Sequence, residues 1–169
     1  MPSKNFKHWV SIKDFKRCKP CEEMHGKIYL ISEKPSKTPP LHYNCRCRID
    51  LMATIQKGYA TSKLKQGADY WLKTQGTLPG YYVTKKDAKT HGWIQKKGNL
   101  DKVLPGMMIG GDIYNNRNRH LPHVNNRVWY EADINYTSGR RNSERVLYSS
   151  DGLIFVTYDH YKTFHEIVS

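Results

Sequence analysis

Apolar and polar positions alternate with a period of two from Arg127 to Ile134. Val128, Tyr130, Ala132 and Ile134 share one face of the implied strand, and Trp129, Glu131 and Asp133 share the other. Two more runs, Arg145–Tyr148 and Leu153–Val156, are separated by Ser149-Ser-Asp-Gly152, the signature of a hairpin. A turn over Tyr158–Tyr161 then leads into a third strand over 162–168. Upstream the pattern becomes helical. Asp69–Gln75 reads as a short helix stopped by Gly76 and Pro79. At Thr84-Lys-Lys-Asp87 the Thr hydroxyl can accept from a backbone N–H near Asp87, and the acid suits the positive helix end. That second helix should close at Gly92. Helices followed by an antiparallel sheet predict an α+β fold.

Composition divides the chain. All four cysteines lie in the first third, at Cys18, Cys21, Cys45 and Cys47. The stretch Gly58–Gly67 is poor in apolar residues and reads as a join, so a boundary near residue 62 separates a small Cys-rich module (1–62) from a second domain (63–169). Charge does not follow that division. Lys plus Arg is 28 against 15 Asp plus Glu, a formal +13 spread over both parts. Such an excess points to a polyanionic partner, with nucleic acid ahead of an anionic membrane surface. No apolar run is long enough to span a bilayer, and the N-terminus shows no signal peptide. Export or delivery into a target cell would therefore need another route, or the chain is a fragment of something larger.

The candidate chemistry falls in the second part. Glu131 sits mid-strand beside Asp133, His160 lies in the 158–161 turn, and Arg140, Arg141 and Arg145 cluster between them in sequence. Each alone is an ordinary exposed charge. Together they suit RNA cleavage by transphosphorylation: a carboxylate takes the 2′-OH proton, an imidazole protonates the departing 5′ oxygen, and arginines meet the added phosphate charge. The substrate carries its own nucleophile, so this chemistry needs no metal and excludes DNA.

These residues also carry a resemblance. Ile109-Gly-Gly-Asp-Ile113, Glu131-Ala-Asp-Ile-Asn-Tyr-Thr-Ser-Gly139, Arg141-Asn-Ser-Glu-Arg145, Leu147-Tyr-Ser-Ser-Asp151 and Asp159-His-Tyr-Lys-Thr-Phe164, with Trp93 and Lys97-Gly-Asn-Leu100, occur in collinear order. From about Gly67 to the end the chain resembles the barnase-like, guanyl-preferring bacterial ribonucleases. The resemblance implies Glu131 as general base and His160 as general acid. Arg141, Arg145 and Lys85 would face the phosphate, with Asp112, Asp133 and Tyr161 in support and Asn115, Asn116, Arg117 and Asn118 in the base-recognition loop. It also implies an acidic, barstar-like immunity protein, a toxin role in competition between cells, and action as a monomer.

One position departs from the family. Asn118 stands where the family has a glutamate. A carboxylate accepts two hydrogen bonds from the guanine edge, whereas an amide offers one acceptor and turns a donor toward a donor. Guanine preference should weaken by about 1–2 kcal/mol. If the backbone N–H groups of Asn116 and Arg117 carry recognition, Asn118 is incidental.

The first third has its own pattern: Cys18-Lys-Pro-Cys21, then His42-Tyr-Asn-Cys45-Arg-Cys47. A Cys-x-x-Cys turn brings two thiolates to one zinc, and four cysteines, or three with His42, complete a tetrahedron. Two disulfides or free thiols are the alternatives. His25 is a further candidate ligand. With Pro39-Pro-Leu-His-Tyr-Asn-Cys-Arg-Cys-Arg-Ile49, the segment resembles the C-terminal part of phage minor head proteins and of toxins fused to them. That family has Asp where His25 stands, which argues against His25 as a ligand. The resemblance implies a delivery or attachment module. Two rivals to the ribonuclease follow from the same residues: a phage-derived protein that binds nucleic acid without cutting it, and a zinc-dependent nuclease centred on the cysteines.

Overall fold

The computed structural model describes all 169 residues. Thirteen elements follow one another: β1 (Pro2–Val10), α1 (Lys19–Met24), β2 (Ile28–Leu30), β3 (Arg48–Gln56), α2 (Ala68–Gln75), β4 (Tyr82–Val83), α3 (Lys85–Thr90), α4 (Leu100–Val103), β5 (Met108–Tyr114), β6 (Trp129–Asp133), β7 (Arg145–Ser149), β8 (Ile154–Thr157) and β9 (His165–Val168). Sheet dominates, and the longest helix, α2, has only 8 residues. The nine strands form one sheet in the order β2-β1-β3-β9-β8-β7-β6-β5-β4.

The local signals hold where they were strongest. Helix α2 ends at Gly76, whose φ of 72° is the left-handed conformation that suits glycine. Thr84 Oγ1 accepts from the Asp87 N–H at 3.2 Å and caps α3. Strands β6, β7 and β8 form an antiparallel meander, with Glu131 opposite Leu147 and Asp133 opposite Arg145. The third strand is shorter than expected, starting at His165 because the loop before it occupies Tyr158–Phe164.

Two features correct the expected antiparallel sheet. β3 runs parallel to β9, and β4 runs parallel to β5. The first 56 residues contribute strands as well as a cysteine loop. β1 pairs with both β2 and β3, and β3 joins the meander through Thr54, Ile55 and Gln56. Polar ties reinforce that seam, since buried Glu166 of β9 accepts from the Ser3 hydroxyl and the Asn5 amide. The 58–61 connection is fastened to α2, where fully buried Asp69 accepts from the N–H groups of Gly58 and Ala60 and from the Thr61 hydroxyl.

Strand alternation gives the sheet two apolar faces. Ala132, Val146, Ile154 and Val156 point to α2 and meet Ala68 and Leu72. On the opposite face Trp129, Leu147 and Phe155 are covered by Phe6, Ile28 and Met52 from the N-terminal segment, with Leu121 and Phe164 from two loops. Further along that second face the apolar residues give way to Glu131, Asp133 and Arg145. The N-terminal segment therefore buries the apolar half of a face whose other half is charged.

Candidate active site

The charged half is built from β5, β6, β7, the start of α3 and the β8–β9 loop. A bulge in β5 sets its edge. Gly111 has φ of 92°, and the pairing with β6 shifts register between Gly110 and Asp112. Gly110 cannot carry a side chain, because a Cβ would stand 2.5 Å from the Tyr82 ring and 2.6 Å from Ala132. After the bulge Asp112 lies opposite Glu131 and accepts from the Lys85 N–H at 3.0 and 3.3 Å. That contact fixes the first turn of α3 and with it the Lys85 side chain. Lys85 Nζ lies 2.6 Å from Glu131 Oε1.

Glu131 is only 7 % exposed. Its second oxygen accepts from the Tyr161 hydroxyl. Burial pushes its carboxyl up, but the Lys85 and Tyr161 hydrogen bonds outweigh burial and hold it below the usual range. Glu131 is therefore a carboxylate at neutral pH. Burial and the donation to Glu131 push the Tyr161 hydroxyl up, so it stays protonated. Tyr161 stacks on Tyr114 at 5.1 Å, and the His160 ring lies 4.8 Å from the Tyr161 ring, tilted by 60°. Glu131 and His160 thus both neighbour one tyrosine, the first at its hydroxyl and the second at its ring.

Asp133 is fully buried and organises the arginines. Arg141 grips it in a fork, Nε to Oδ2 at 2.8 Å and Nη2 to Oδ1 at 2.6 Å. Arg145 Nε lies 3.0 Å from the same Oδ1, while its Nη1 donates to Asn142 O, Asn142 Oδ1 and Glu144 O. Burial alone would lower the Arg141 value, but Asp133 overrides it and raises it. One buried carboxylate therefore faces two guanidinium groups, an excess of positive charge beside Glu131 that suits a bound phosphate. Arg140 is exposed and makes no contact with Asp133.

His160 is exposed, and both it and Tyr161 have positive φ, 58° and 66°. Two consecutive left-handed residues other than glycine cost about 1–3 kcal/mol each and persist only when their surroundings fix them. Here Asp159 does so. Its carboxylate accepts from the N–H groups of Lys162 and Thr163 and from the hydroxyls of Thr157 and Thr163. Burial raises the Asp159 value, but these donors outweigh it, so its carboxyl also lies below the usual range. The sequence shows Asp159 only as a neighbour of His160. Its role emerges once four donors are seen around it.

The base-loop candidates separate. Asn115, Arg117 and Asn118 are exposed, whereas Asn116 is buried and closes the loop on itself, bonding Leu121 N–H and C=O. Its side chain shapes the loop by holding Leu121. Asn118 Oδ1 accepts from the His120 N–H at 3.1 Å. Asn115, Asn116 and Arg117 line a cavity of about 440 Å³ with Tyr114, Arg127 and Trp129.

Away from this face the cysteine cluster gathers. Cys18, Cys21 and His42 form one group, and Cys21, Cys45 and Cys47 another, each with ligand atoms within 4.8 Å of one another. His25 stands apart, its Nδ1 accepting from the Ser11 N–H.

A buried carboxylate held by lysine and tyrosine, a nearby imidazole and two arginines on one aspartate bring together the kinds of group that acid–base work on a phosphate ester uses. Residues 65–168 match the ribonuclease family, and the chain belongs to that barnase-like family of endoribonucleases. It is 52 % identical over 100 residues to the ribonuclease of Heyndrickxia coagulans, covering 59 % of this chain and 91 % of that protein. The ribonucleases of Bacillus intermedius and Bacillus pumilus are each 52 % identical over 100 residues, and the match spans 61 % of either. Residues 1–50 match the Phage Mu protein F like family. No helix is long and apolar enough to cross a membrane.

Proposed function

We propose that the chain cleaves single-stranded RNA by metal-independent transphosphorylation, leaving a 2′,3′-cyclic phosphate. Glu131 takes the 2′-OH proton and His160 protonates the leaving 5′ oxygen. Lys85, Arg141 and Arg145 meet the charge that builds on the phosphate. Asp112, Asp133 and Tyr161 hold those groups in place. The observation that carries this reading is buried Glu131, hydrogen-bonded to Lys85 and Tyr161 with His160 beside that tyrosine. A carboxylate kept charged out of water is a competent base once a hydroxyl is delivered to it. No observation favours a binding protein without turnover.

The charge of +13 and the phage-like first fifty residues support the wider role: a toxin delivered into a competing cell, acting on its RNA and held in check by an acidic barstar-like inhibitor where it is made. We read the chain as acting as a monomer. Asn118 supports a weakened guanine preference, since an amide has one acceptor oxygen where a carboxylate has two, and that oxygen also takes the His120 N–H.

The test is incubation with mixed-sequence RNA in excess EDTA beside His160→Ala, followed by analysis of product ends. Cyclic phosphate ends that vanish in the variant support the mechanism. RNA that is bound but left intact refutes it. Inhibitor binding that weakens steeply with salt and on Arg141→Ala supports the partner, and salt-independent binding counts against it.

A further inference from the structure

The cysteine cluster has no part in the chemistry above, yet its donors converge. Cys18 Sγ and Cys21 Sγ stand 3.1 and 3.2 Å from His42 Nε2, and Cys21 Sγ stands 3.8 Å from Cys45 Sγ. A tetrahedral zinc with three thiolates and one imidazole has S···S edges of about 3.8 Å and S···N edges of about 3.5 Å. Cys21 belongs to both groups of ligand atoms, so all five donors surround one region. Cys18, Cys21, His42 and Cys47 line a cavity of about 20 Å³ there, which is on the order of one water-sized sphere.

The imidazole is already oriented. His42 Nδ1 lies 2.8 Å from the Tyr43 carbonyl, to which it donates, and this leaves Nε2 as the lone-pair atom facing the sulfurs. Lys16, Arg17 and Arg46 also line the cavity. Arg17 is paired with Glu22 and Arg46 with Asp14, which leaves the Lys16 ammonium as the uncompensated charge there, of the sign that suits the net −1 of a zinc held by three thiolates.

We infer that the N-terminal segment binds one structural zinc through Cys18, Cys21, His42 and one thiolate of the Cys45/Cys47 pair, and that this ion secures a strut beneath the substrate loops. The strut is α1 with the turn after it. A six-residue helix is not stable alone, so something must hold it. From the cluster α1 runs to the two loops of the proposed active site. The Glu23 carbonyl accepts from His120 Nε2 at 2.8 Å, and the Ile28 N–H donates to His120 O at 2.8 Å, both at the end of the base loop. Gly26, with φ of 81°, packs so closely on the loop after His160 that a Cβ there would lie 2.2 Å from Lys162 O. The zinc would thus join α1 to the 42–47 turn and hold α1 against both loops. The strut's purpose rests on the ribonuclease reading, but the ion itself does not.

The test measures metal content, thiol state and RNA cleavage on the full chain as purified. The inference expects one zinc per chain, lost in His42→Ala and in the Cys45→Ser/Cys47→Ser double variant. It expects zinc to be retained in His42→Cys, and in one of the two single serine variants. Cobalt in place of zinc should show the absorption of a tetrahedral thiolate site. Removing the metal should speed hydrogen exchange at the Gly26 and Ile28 amides, and zinc should reverse it. A chain with little zinc whose mass and alkylation show two disulfides or four free thiols overturns the site. Zinc without any effect on those amides overturns the strut. RNA cleavage by a zinc-free chain would leave the ribonuclease reading standing, and a zinc-loaded chain inert toward RNA would count against that reading alone.

Discussion

Replacing Lys85 with alanine separates the two roles given to that lysine. Its ammonium, 2.6 Å from Glu131 Oε1, is the nearest cation to the proposed base. Without it the burial that raises the carboxyl remains, opposed by Tyr161 and the more distant Arg141. The Lys85 side chain is 35 % exposed, so solvent screens part of its effect. The Glu131 value should still rise in the variant, because the largest effect opposing burial is removed. Protonated Glu131 is not a base, so the acid limb of kcat/KM should move to higher pH. The plateau should also fall by about 100-fold, because a group that meets the transition-state charge is gone. Lys85→Arg should keep the limb in place. The assay is kcat/KM on a dinucleotide from acid to neutral pH. A Lys85→Ala limb that stays where the parent has it would refute the coupling, whatever happens to the plateau. The stability effect has a matching sign. A depressed carboxyl stabilises the fold above the ordinary value of 4.5 and loses that contribution as pH falls through its folded value, so the variant should lose less stability on acidification than the parent.

Three further outcomes follow from particular contacts. Phe6 is 3 % exposed and meets the Phe155 ring edge-on at 5.2 Å, so Phe6→Ala should cost about 3–5 kcal/mol in one cooperative transition of the whole chain. Denaturation in two steps, with the 63–169 region unaffected, would show that the N-terminal segment folds apart from it. Asp159→Asn keeps one acceptor among four donors and should lower kcat far more than it raises KM, because the His160 loop loses its shape and substrate contacts remain; equal effects on both would contradict this. Asn118→Glu should increase the preference for cleavage after G by about 10-fold, read from the fragments of a defined RNA, and an unchanged preference would assign recognition to the backbone.

What could be read from the sequence was local. The period-two run at 127–134 placed Glu131 and Asp133 on one face, and the cross-strand pairs Glu131–Leu147 and Asp133–Arg145 agree with it. Thr84 and Gly76 marked helix ends because capping needs only neighbours. β1 and β3 were hidden. Their burial is irregular and charges such as Lys4, Lys7, Arg48 and Asp50 interrupt any alternation, so their strand character comes from partners distant in sequence. The parallel β3–β9 pairing joins residues over a hundred positions apart and leaves no local mark. The same holds within the site. Arg141 and Arg145 were legible as a cluster. The self-bonded Asn116, the buttress at Asp159 and the contact of Gly26 with the Lys162 carbonyl exist only after loops from different parts of the chain meet.

The central claim is that the substrate's own 2′-OH is the nucleophile, activated by Glu131. A DNA oligonucleotide carrying a single riboguanosine tests it most directly. The account predicts one cut, on the 3′ side of that residue, with a 2′,3′-cyclic phosphate end in the presence of EDTA, and no cut in the all-DNA strand or with Glu131→Gln. Cleavage at deoxy positions, or cutting that depends on added metal, would contradict it.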